Sequence, residues 1–142
     1  GAAVGVLRAS RDVRIRSLVS IAGMAHTAAF VRREFGEVVP DSGCMWGMPQ
    51  CPLSRAFVDD MRRIGTVQNH ASRLRQPWLL VHGTADDVVP VAESRDLQQA
   101  THGRAELVEI DGADHVFSGD ATARMVAAVV PWLCDQIQAQ TS

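Results

Sequence analysis

The sequence lacks the long apolar runs and the basic runs that would tie it to a membrane or to nucleic acid. Its longest apolar runs, such as residues 126–130, fall far short of the ~20 residues that span a bilayer. Lysine and arginine number 14 against 16 aspartates and glutamates, which gives a formal net charge of -2 without any arginine-rich stretch for binding phosphates. We therefore expect a soluble chain without a nucleic-acid partner, for which the cytoplasm is the default compartment.

Cysteine is too scarce and too widely spaced to build a disulfide framework or a zinc site. The three cysteines, Cys44, Cys51 and Cys134, are an odd number, so a complete set of internal disulfides is excluded. Cys44 and Cys51 lie further apart than a zinc knuckle allows, and no histidine follows them at finger spacing. We interpret all three as small apolar side chains and expect neither a metal ion nor another cofactor.

The chain also opens without an initiating methionine and without a basic segment followed by an apolar signal segment. Residues 1–5 read GAAVG instead. With 142 residues and 46% apolar content, the chain has the size and composition of one globular domain or of a piece of one. We expect that it begins inside a longer protein.

The first half of the pattern predicts a helix, a strand and a long irregular insert. Residues 2–9 are apolar almost all the way round a helix, which predicts a helix buried under a sheet. Residues 14–21 alternate and then become apolar, as a strand does. From residue 26 to residue 76 prolines and glycines cluster, and helical spacing occurs only around residues 27–35 and 54–64. So long an insert between strands indicates a cap or another functional segment.

The second half predicts alternating strands and helices. Residues 78–81 are a short apolar run typical of a strand that is buried on both faces. A helix is predicted over residues 91–101 and a strand over residues 105–110. After Asp120, apolar residues recur at helical spacing, and Pro131 must kink that helix or remove one of its hydrogen bonds. Strands that alternate with helices predict an α/β fold with a parallel sheet and flanking helices. The apolar stripe of the last helix comprises Met125, Val126, Val129, Val130, Leu133 and Ile137.

Polar clusters follow directly after the second and third predicted strands. Residues 82–90 read HGTADDVVP, and residues 112–117 read GADHVF. Parallel α/β sheets place their reacting groups at the carboxyl ends of strands. The first cluster resembles the H-G-x-x-D-x-x-V-P signature of the α/β-hydrolase family, and the second resembles the G-x-x-H-x-F turn of the same family. The resemblance implies that Asp86 is the acid of a catalytic triad and that His115 is its general base.

The resemblance extends over essentially the whole chain and implies a partial domain. It predicts the C-terminal part of an α/β-hydrolase fold, with a core from residues 1–25 and 77–142 and a cap-like insert over about residues 26–76. The family's order of nucleophile, acid and histidine places a serine upstream, in a G-x-S-x-G turn. No G-x-S-x-G occurs in the sequence. Because residues 1–5 resemble the helix after that turn, the resemblance implies that the serine lies two positions before Gly1, within a missing N-terminal half.

The expected function is that of a serine hydrolase cleaving an ester, thioester or amide of a small molecule through an acyl-enzyme. A serine aminopeptidase-like activity is the alternative within this class. Outside it, the chain is either a non-catalytic fragment or a relative that only binds. Without a nucleophile we expect residues 1–142 alone to be inactive. Their first strand would lack the neighbour that it has in the family, and such an unpaired edge favours aggregation.

Simpler interpretations compete with these roles. Asp86 could be a turn aspartate and His115 a polar loop histidine, while Asp87 and Asp114 suit turns or caps. We interpret His82 as a packing residue next to the Gly83 turn. The apolar stretch 44–49 predicts either a wall of the substrate pocket or the core of the cap itself. No role is predicted for His26, His70 and His102, and the arginines at positions 32, 33, 62 and 63 suit a solvated face.

Overall fold

A computed structural model describes residues 1–141, which form three strands, six α-helices and one short 3₁₀ helix (Met45–Gly47). Their order is the predicted one of helix, strand, insert, strand, helix, strand and helix. None of the helices within this range is both long and apolar enough to cross a membrane. The strands are β1 (Leu18–Ile21), β2 (Trp78–Gly83) and β3 (Glu106–Ile110). The helices are α1 (Ala2–Ala9), α2 (Thr27–Phe35), α3 (Arg55–Ile64), α4 (Gln68–Ala71), α5 (Ala92–Ala100) and α6 (Ala121–Thr141).

The three strands form one parallel sheet in the order β1-β2-β3. All six residues of the central strand β2 are buried, and burial on both faces was predicted for the apolar run of residues 78–81. Trp78 at its start donates a buried hydrogen bond from Nε1 to Ser20 Oγ at 3.0 Å, which satisfies both polar groups inside the sheet. The prediction of an α/β fold with parallel strands and flanking helices is confirmed.

The last helix covers one face of the sheet with part of its apolar stripe. Ala121 and Trp132 belong to the same buried cluster as Leu79 and Val81 of β2. Met125, Val129 and Leu133 pack against this cluster, whereas Val126, Val130 and Ile137 are exposed. Because residues four apart lie on one side of a helix, the first three share the core-facing side, and Val126 and Val130 lie on a neighbouring one. Ile137 continues the row of the first three but is 63% exposed near the end of the helix. The helix continues through Pro131, which supplies no backbone N–H to it.

Two elements near the start of the chain differ from the prediction. The first strand begins at Leu18 rather than at residue 14, because Arg14 binds Asp12 in the turn that precedes it. Helix α1 is not buried all round, since only Val6 and Ala9 are buried and Val4 is 69% exposed. Among the described residues it packs mainly on β1, so only one of its faces is covered.

The chain divides into two compact units, residues 1–25 with 68–142, and residues 26–67. The first contains the sheet. The short helix α4 at the start of its second segment was not predicted, because four residues carry no measurable helical period. The domain boundaries that the family resemblance implies stay a prediction.

The unit of residues 26–67 has a small core of its own. Phe30 packs edge-on against Phe35, and Trp46 lies edge-on against Phe35 with ring centroids 5.0 Å apart. Trp46 is nevertheless 56% exposed, and its Nε1 donates to Glu34. Cys44 and Cys51 are free thiols. The arginines at positions 32, 33, 62 and 63 are all exposed.

Candidate active site

The register of β2 and β3 brings the two polar loops side by side. Gly83, the last residue of β2, pairs with Ile110, the last residue of β3. Asp86 follows three residues after Gly83, and His115 follows five residues after Ile110. Parallel strands end at the same edge of their sheet, so both side chains start from adjacent points at its carboxyl end.

Backbone hydrogen bonds join the two loops closely. Ala85 N–H donates to Ala113 O at 3.0 Å, and Thr84 Oγ1 accepts from Gly112 N–H at 2.8 Å. A side chain at Gly83 would not fit, because a Cβ there would lie 2.2 Å from Ala113 O. The glycine of the H-G-x-x-D motif therefore allows the close approach of the two loops.

Asp86 is a fully buried carboxylate that several N–H groups surround. Its side chain is 0% exposed. Oδ1 accepts from the backbone N–H groups of Val88 at 2.9 Å and Val89 at 2.8 Å, and this closes a local turn. Oδ2 lies 2.8 Å from His115 Nδ1. Asp86 is thus the turn aspartate of its own loop and, through its other oxygen, the partner of His115.

His115 is held through one ring nitrogen only. Because an ionised carboxylate only accepts, Nδ1 is the donor of the 2.8 Å bond to Asp86 Oδ2. Nε2 makes no hydrogen bond within the part of the chain that is described, and the side chain is 33% exposed. This arrangement orients an imidazole whose second nitrogen is available to accept a proton from another group.

The loop around His115 is fixed by a turn and by a buried aromatic ring. Asp114 Oδ1 accepts from Ser118 N–H at 2.8 Å. Hydrogen bonds from the Ser118 side chain and then its backbone hold the pKa of Asp114 below its ordinary value. Phe117 has a φ of 56° but is only 2% exposed and belongs to the core under α6. Burial of this ring anchors a backbone conformation that few residues adopt unaided.

His82 is a residue of the site whose contacts sequence reasoning did not predict. Its side chain is 0% exposed, and Nε2 lies 2.8 Å from Val89 O and 3.1 Å from Asp86 Oδ2. Nδ1 lies 2.6 Å from Ser94 Oγ. The signal available in the sequence was that His82 comes four residues before Asp86. Residues four apart are expected to lie close together in a helix, but His82 is at the end of a strand that a sharp turn follows, so the rule does not apply to it.

The other residues singled out from the sequence lie elsewhere or act locally. Asp87 is exposed, and the carboxylate that accepts the backbone N–H groups of this turn is that of Asp86. His70 contacts Ser10 Oγ at 3.2 Å, and His102 is exposed at the end of α5. Within residues 1–141 no group of three or more histidine, cysteine, aspartate or glutamate side chains could hold a metal ion.

Helix α1 begins at the same end of the sheet as the two loops. Gly23 comes two residues after the end of β1, and a Cβ on Gly23 would lie 2.6 Å from Ala2 Cβ. The first turn of α1 is therefore adjacent to the carboxyl end of β1. From there the helix leads back to the opposite end of the sheet, where β1 begins.

An arginine-lined cleft of about 420 Å³ lies away from Asp86 and His115. Its lining residues precede β1 and β2 and are residues 9–13, 15, 16, 73, 75 and 76. Its arginines at positions 11, 16, 73 and 75 are all exposed. The cleft belongs to the amino end of the sheet and contributes nothing to the site at the carboxyl end.

Several solved hydrolase structures have the same fold. Est1E from Butyrivibrio proteoclasticus is 23% identical with a TM-score of 0.79, and the match covers 97% of this chain and 58% of that one. The esterase domain of a Rhodothermus marinus protein is 23% identical with a TM-score of 0.72, over 92% of this chain and 55% of that one. The monoacylglycerol lipase of Paleococcus ferrophilus is 21% identical with a TM-score of 0.68, over 96% of this chain and 65% of that one.

The chain thus spans little more than half the length of the first two of these proteins. No curated protein matches it in sequence. The profile of one protein family, described as serine aminopeptidase, S33, matches residues 49–122, a range that contains both Asp86 and His115. This range is more than half of the chain, which therefore belongs to the serine aminopeptidase S33 family of α/β-hydrolases.

Proposed function

We propose that Asp86 and His115 are the acid and the general base of a Ser-Asp-His triad in a hydrolase that cleaves an ester, thioester or amide bond. The observation that carries the proposal is the 2.8 Å contact between His115 Nδ1 and the buried Asp86 Oδ2, with the rest of the imidazole partly exposed. A buried carboxylate that holds one nitrogen of a histidine and leaves the other accessible is the arrangement that such a triad requires.

The chemistry of each residue follows from its contacts. His115 Nε2 takes the proton of a serine hydroxyl as the serine oxygen forms a bond to the carbonyl carbon of the substrate. It then gives that proton to the departing alcohol, thiol or amine as the old bond breaks. In the second half of the cycle, His115 takes a proton from water as the water oxygen attacks the acyl-enzyme, and then gives that proton to the serine oxygen as the carboxylic acid product leaves. Asp86 keeps Nδ1 protonated and stabilises the imidazolium that forms twice in each cycle.

The serine of this proposal lies upstream of Gly1 in the full-length protein. The first turn of α1 is adjacent to the carboxyl end of β1, and Asp86 and His115 also lie at this end of the sheet. A residue just before α1 would thus enter from the same edge of the sheet as the acid and the base. This supports residues 1–5 as the start of the helix that follows a nucleophile turn.

Labelling with a fluorophosphonate tests this proposal on the full-length protein that contains residues 1–142. Mass spectrometry of the labelled peptide should locate the adduct on a serine shortly before Gly1. Failure to label, or a cysteine or aspartate at that position, would remove the serine mechanism. Parallel assays with p-nitrophenyl esters and aminoacyl anilides would separate an esterase from a peptidase. Stable labelling would also exclude a relative that only binds.

A second proposal concerns residues 1–142 on their own, which we propose to be inactive and prone to self-association. Among the described residues β1 pairs only with β2, and Ile21 in β1 and Val4 in α1 are 42% and 69% exposed. An open strand edge beside apolar side chains favours pairing between chains. Size-exclusion chromatography should show concentration-dependent oligomers. Ester turnover by residues 1–142 that His115→Asn abolishes would contradict this proposal.

A further inference from the structure

His82 is a buried polar side chain beside Asp86 to which the proposed reaction gives no role. Both of its ring nitrogens have partners, and no part of the ring is exposed. It therefore cannot reach a substrate or act as a second base. A polar group this deeply buried costs free energy unless its hydrogen bonds are made, so the question is what its bonds hold in place.

The partners of His82 determine which nitrogen carries the hydrogen. The carbonyl of Val89 can only accept, so Nε2 is protonated and donates to it across 2.8 Å. In the neutral ring Nδ1 is then the acceptor, and the Ser94 hydroxyl donates to it across 2.6 Å. Ser94, which is itself 0% exposed, satisfies Nδ1 in the tautomer that the Val89 carbonyl sets, and this tautomer points an N–H toward the Asp86 loop.

This N–H affects both oxygens of Asp86. It holds the carbonyl of Val89, the residue whose own N–H donates to Asp86 Oδ1 at 2.8 Å. The same Nε2 lies 3.1 Å from Oδ2, the oxygen that His115 Nδ1 binds. Removing the ring would leave a buried carbonyl without its donor and would let the carboxylate turn away from His115.

We infer that His82, with its tautomer set by the Val89 carbonyl, is a positioning residue that orients the Asp86 carboxylate so that Oδ2 faces His115 Nδ1. The inference rests on the proposed function, because it assigns His82 to the acid of that triad. Residues that orient a reacting group from behind commonly change activity by about 10–100-fold when they are removed.

Two substitutions of His82 and one of Ser94 test this role in the full-length protein. His82→Leu keeps the approximate volume but removes both polar contacts, and should lower kcat for a p-nitrophenyl ester about 10–100-fold at constant KM. His82→Gln can retain a donor and should recover most of the loss. Ser94→Ala leaves the buried Nδ1 without its hydrogen-bond partner and should cause a smaller loss. If His82→Leu fails to fold, Ser94→Ala and the spectra described next still decide the inference.

Nitrogen-15 NMR of the histidines gives a readout that does not depend on hydrolysis. The wild-type spectrum should show His82 with a proton on Nε2 only, together with a strongly downfield Nδ1 proton for His115. That proton should shift upfield in His82→Leu and stay near its wild-type position in His82→Gln. A proton on His82 Nδ1, or an unchanged His115 signal in a folded His82→Leu protein, would overturn the inference.

A double mutant separates positioning from general damage to the structure. In a His115→Asn background, His82→Leu should cause no further loss of activity, since the residue that Asp86 orients is gone. A further 10-fold loss would show a structural effect instead and would refute the positioning role. If no substrate is hydrolysed and no serine is labelled, the proposed function fails, while the spectra still decide where the N–H of His82 points.

Discussion

Two carboxylates at opposite ends of the sheet collect several hydrogen-bond donors each, but the donors differ in kind. Asp12, before β1, binds the guanidinium groups of Arg8 and Arg14, which lie within four residues of it and are largely exposed. The side-chain bond from Arg14 is the main reason that the pKa of Asp12 lies well below its ordinary value. Asp86 is buried and binds two backbone N–H groups and the imidazole of His115, with the imidazole of His82 3.1 Å from Oδ2.

The difference separates a local charge cluster from a site built by the fold. Arginines remain charged in proteins, so the contacts of Asp12 cannot move a proton at neutral pH. The histidine that binds Asp86 comes from the next strand's loop, and a neutral imidazole can both donate and accept a proton. Asp12 and Asp86 therefore both bind several hydrogen-bond donors, but of the two only Asp86 binds a partly exposed imidazole.

The largest effect should follow loss of the imidazole at position 115. His115→Asn removes the proposed base and should lower kcat of the full-length protein on the order of 10⁶-fold, because no group then takes the proton of the serine and only substrate binding supports a residual rate. His102→Asn is the matched control, at an exposed position that tolerates asparagine, and should retain wild-type activity. Similar steady-state rates for the two variants would argue against a triad.

A smaller effect should follow from separating the two loops. Gly83→Ala places a Cβ 2.2 Å from Ala113 O, a backbone atom that cannot move alone, and should cost about 3 kcal/mol of unfolding free energy. Gly5→Ala is the control, because its Cβ would meet only the Leu18 side chain at 3.3 Å. Urea denaturation measures both. Equal stability of the two variants would mean that the close approach of the loops is unimportant.

Substitution of Phe117, which anchors the His115 loop, should lower the stability less than substitution of Gly83. Phe117→Leu keeps an apolar side chain in the core but loses the ring, and should cost about 1 kcal/mol. Phe57→Leu, at a position that is 37% exposed, should change stability very little. Thermal unfolding compares the two. A drop in melting temperature for Phe57→Leu equal to that for Phe117→Leu would contradict burial as the cause.

The smallest effect concerns the turn at Asp114. Since Ser118 lowers the pKa of this carboxyl below 3.8, the folded turn favours the charged form. Its contribution is present above that ordinary value and is lost as the pH falls through the lowered pKa. Urea midpoints of the wild type and Asp114→Asn should therefore differ at pH 7 and converge in strong acid. A constant difference at every pH would exclude the linkage.

Much of the fold was predictable because its strongest signals are local. Helix α2 has the predicted bounds, and the apolar run of β2 identified the buried central strand. The start of β1 and the exposed faces of α1 were not predictable, because both depend on the tertiary contacts that these segments make. Sequence periodicity reports what a segment could bury, while tertiary contacts decide what it does bury.

The candidate site was predictable in its residues but not in its connections. The motifs around Asp86 and His115 mark the two loops, and the register of β2 and β3 then accounts for their closeness. His82 was interpreted as a packing residue, because no spacing rule says that its ring shares an N–H between Val89 and Asp86. Such contacts depend on loop geometry that side-chain types alone do not encode.

Comparing Asp86→Asn with Asp12→Asn in the full-length protein tests the central claim most directly. The measurement is the rate of fluorophosphonate labelling, with thermal unfolding as a check that both variants fold. If Asp86 orients the general base, Asp86→Asn should label on the order of 10³–10⁴-fold more slowly, whereas Asp12→Asn should label at the wild-type rate. Equal labelling rates for the two folded variants would contradict the assignment of Asp86 as the acid that orients His115.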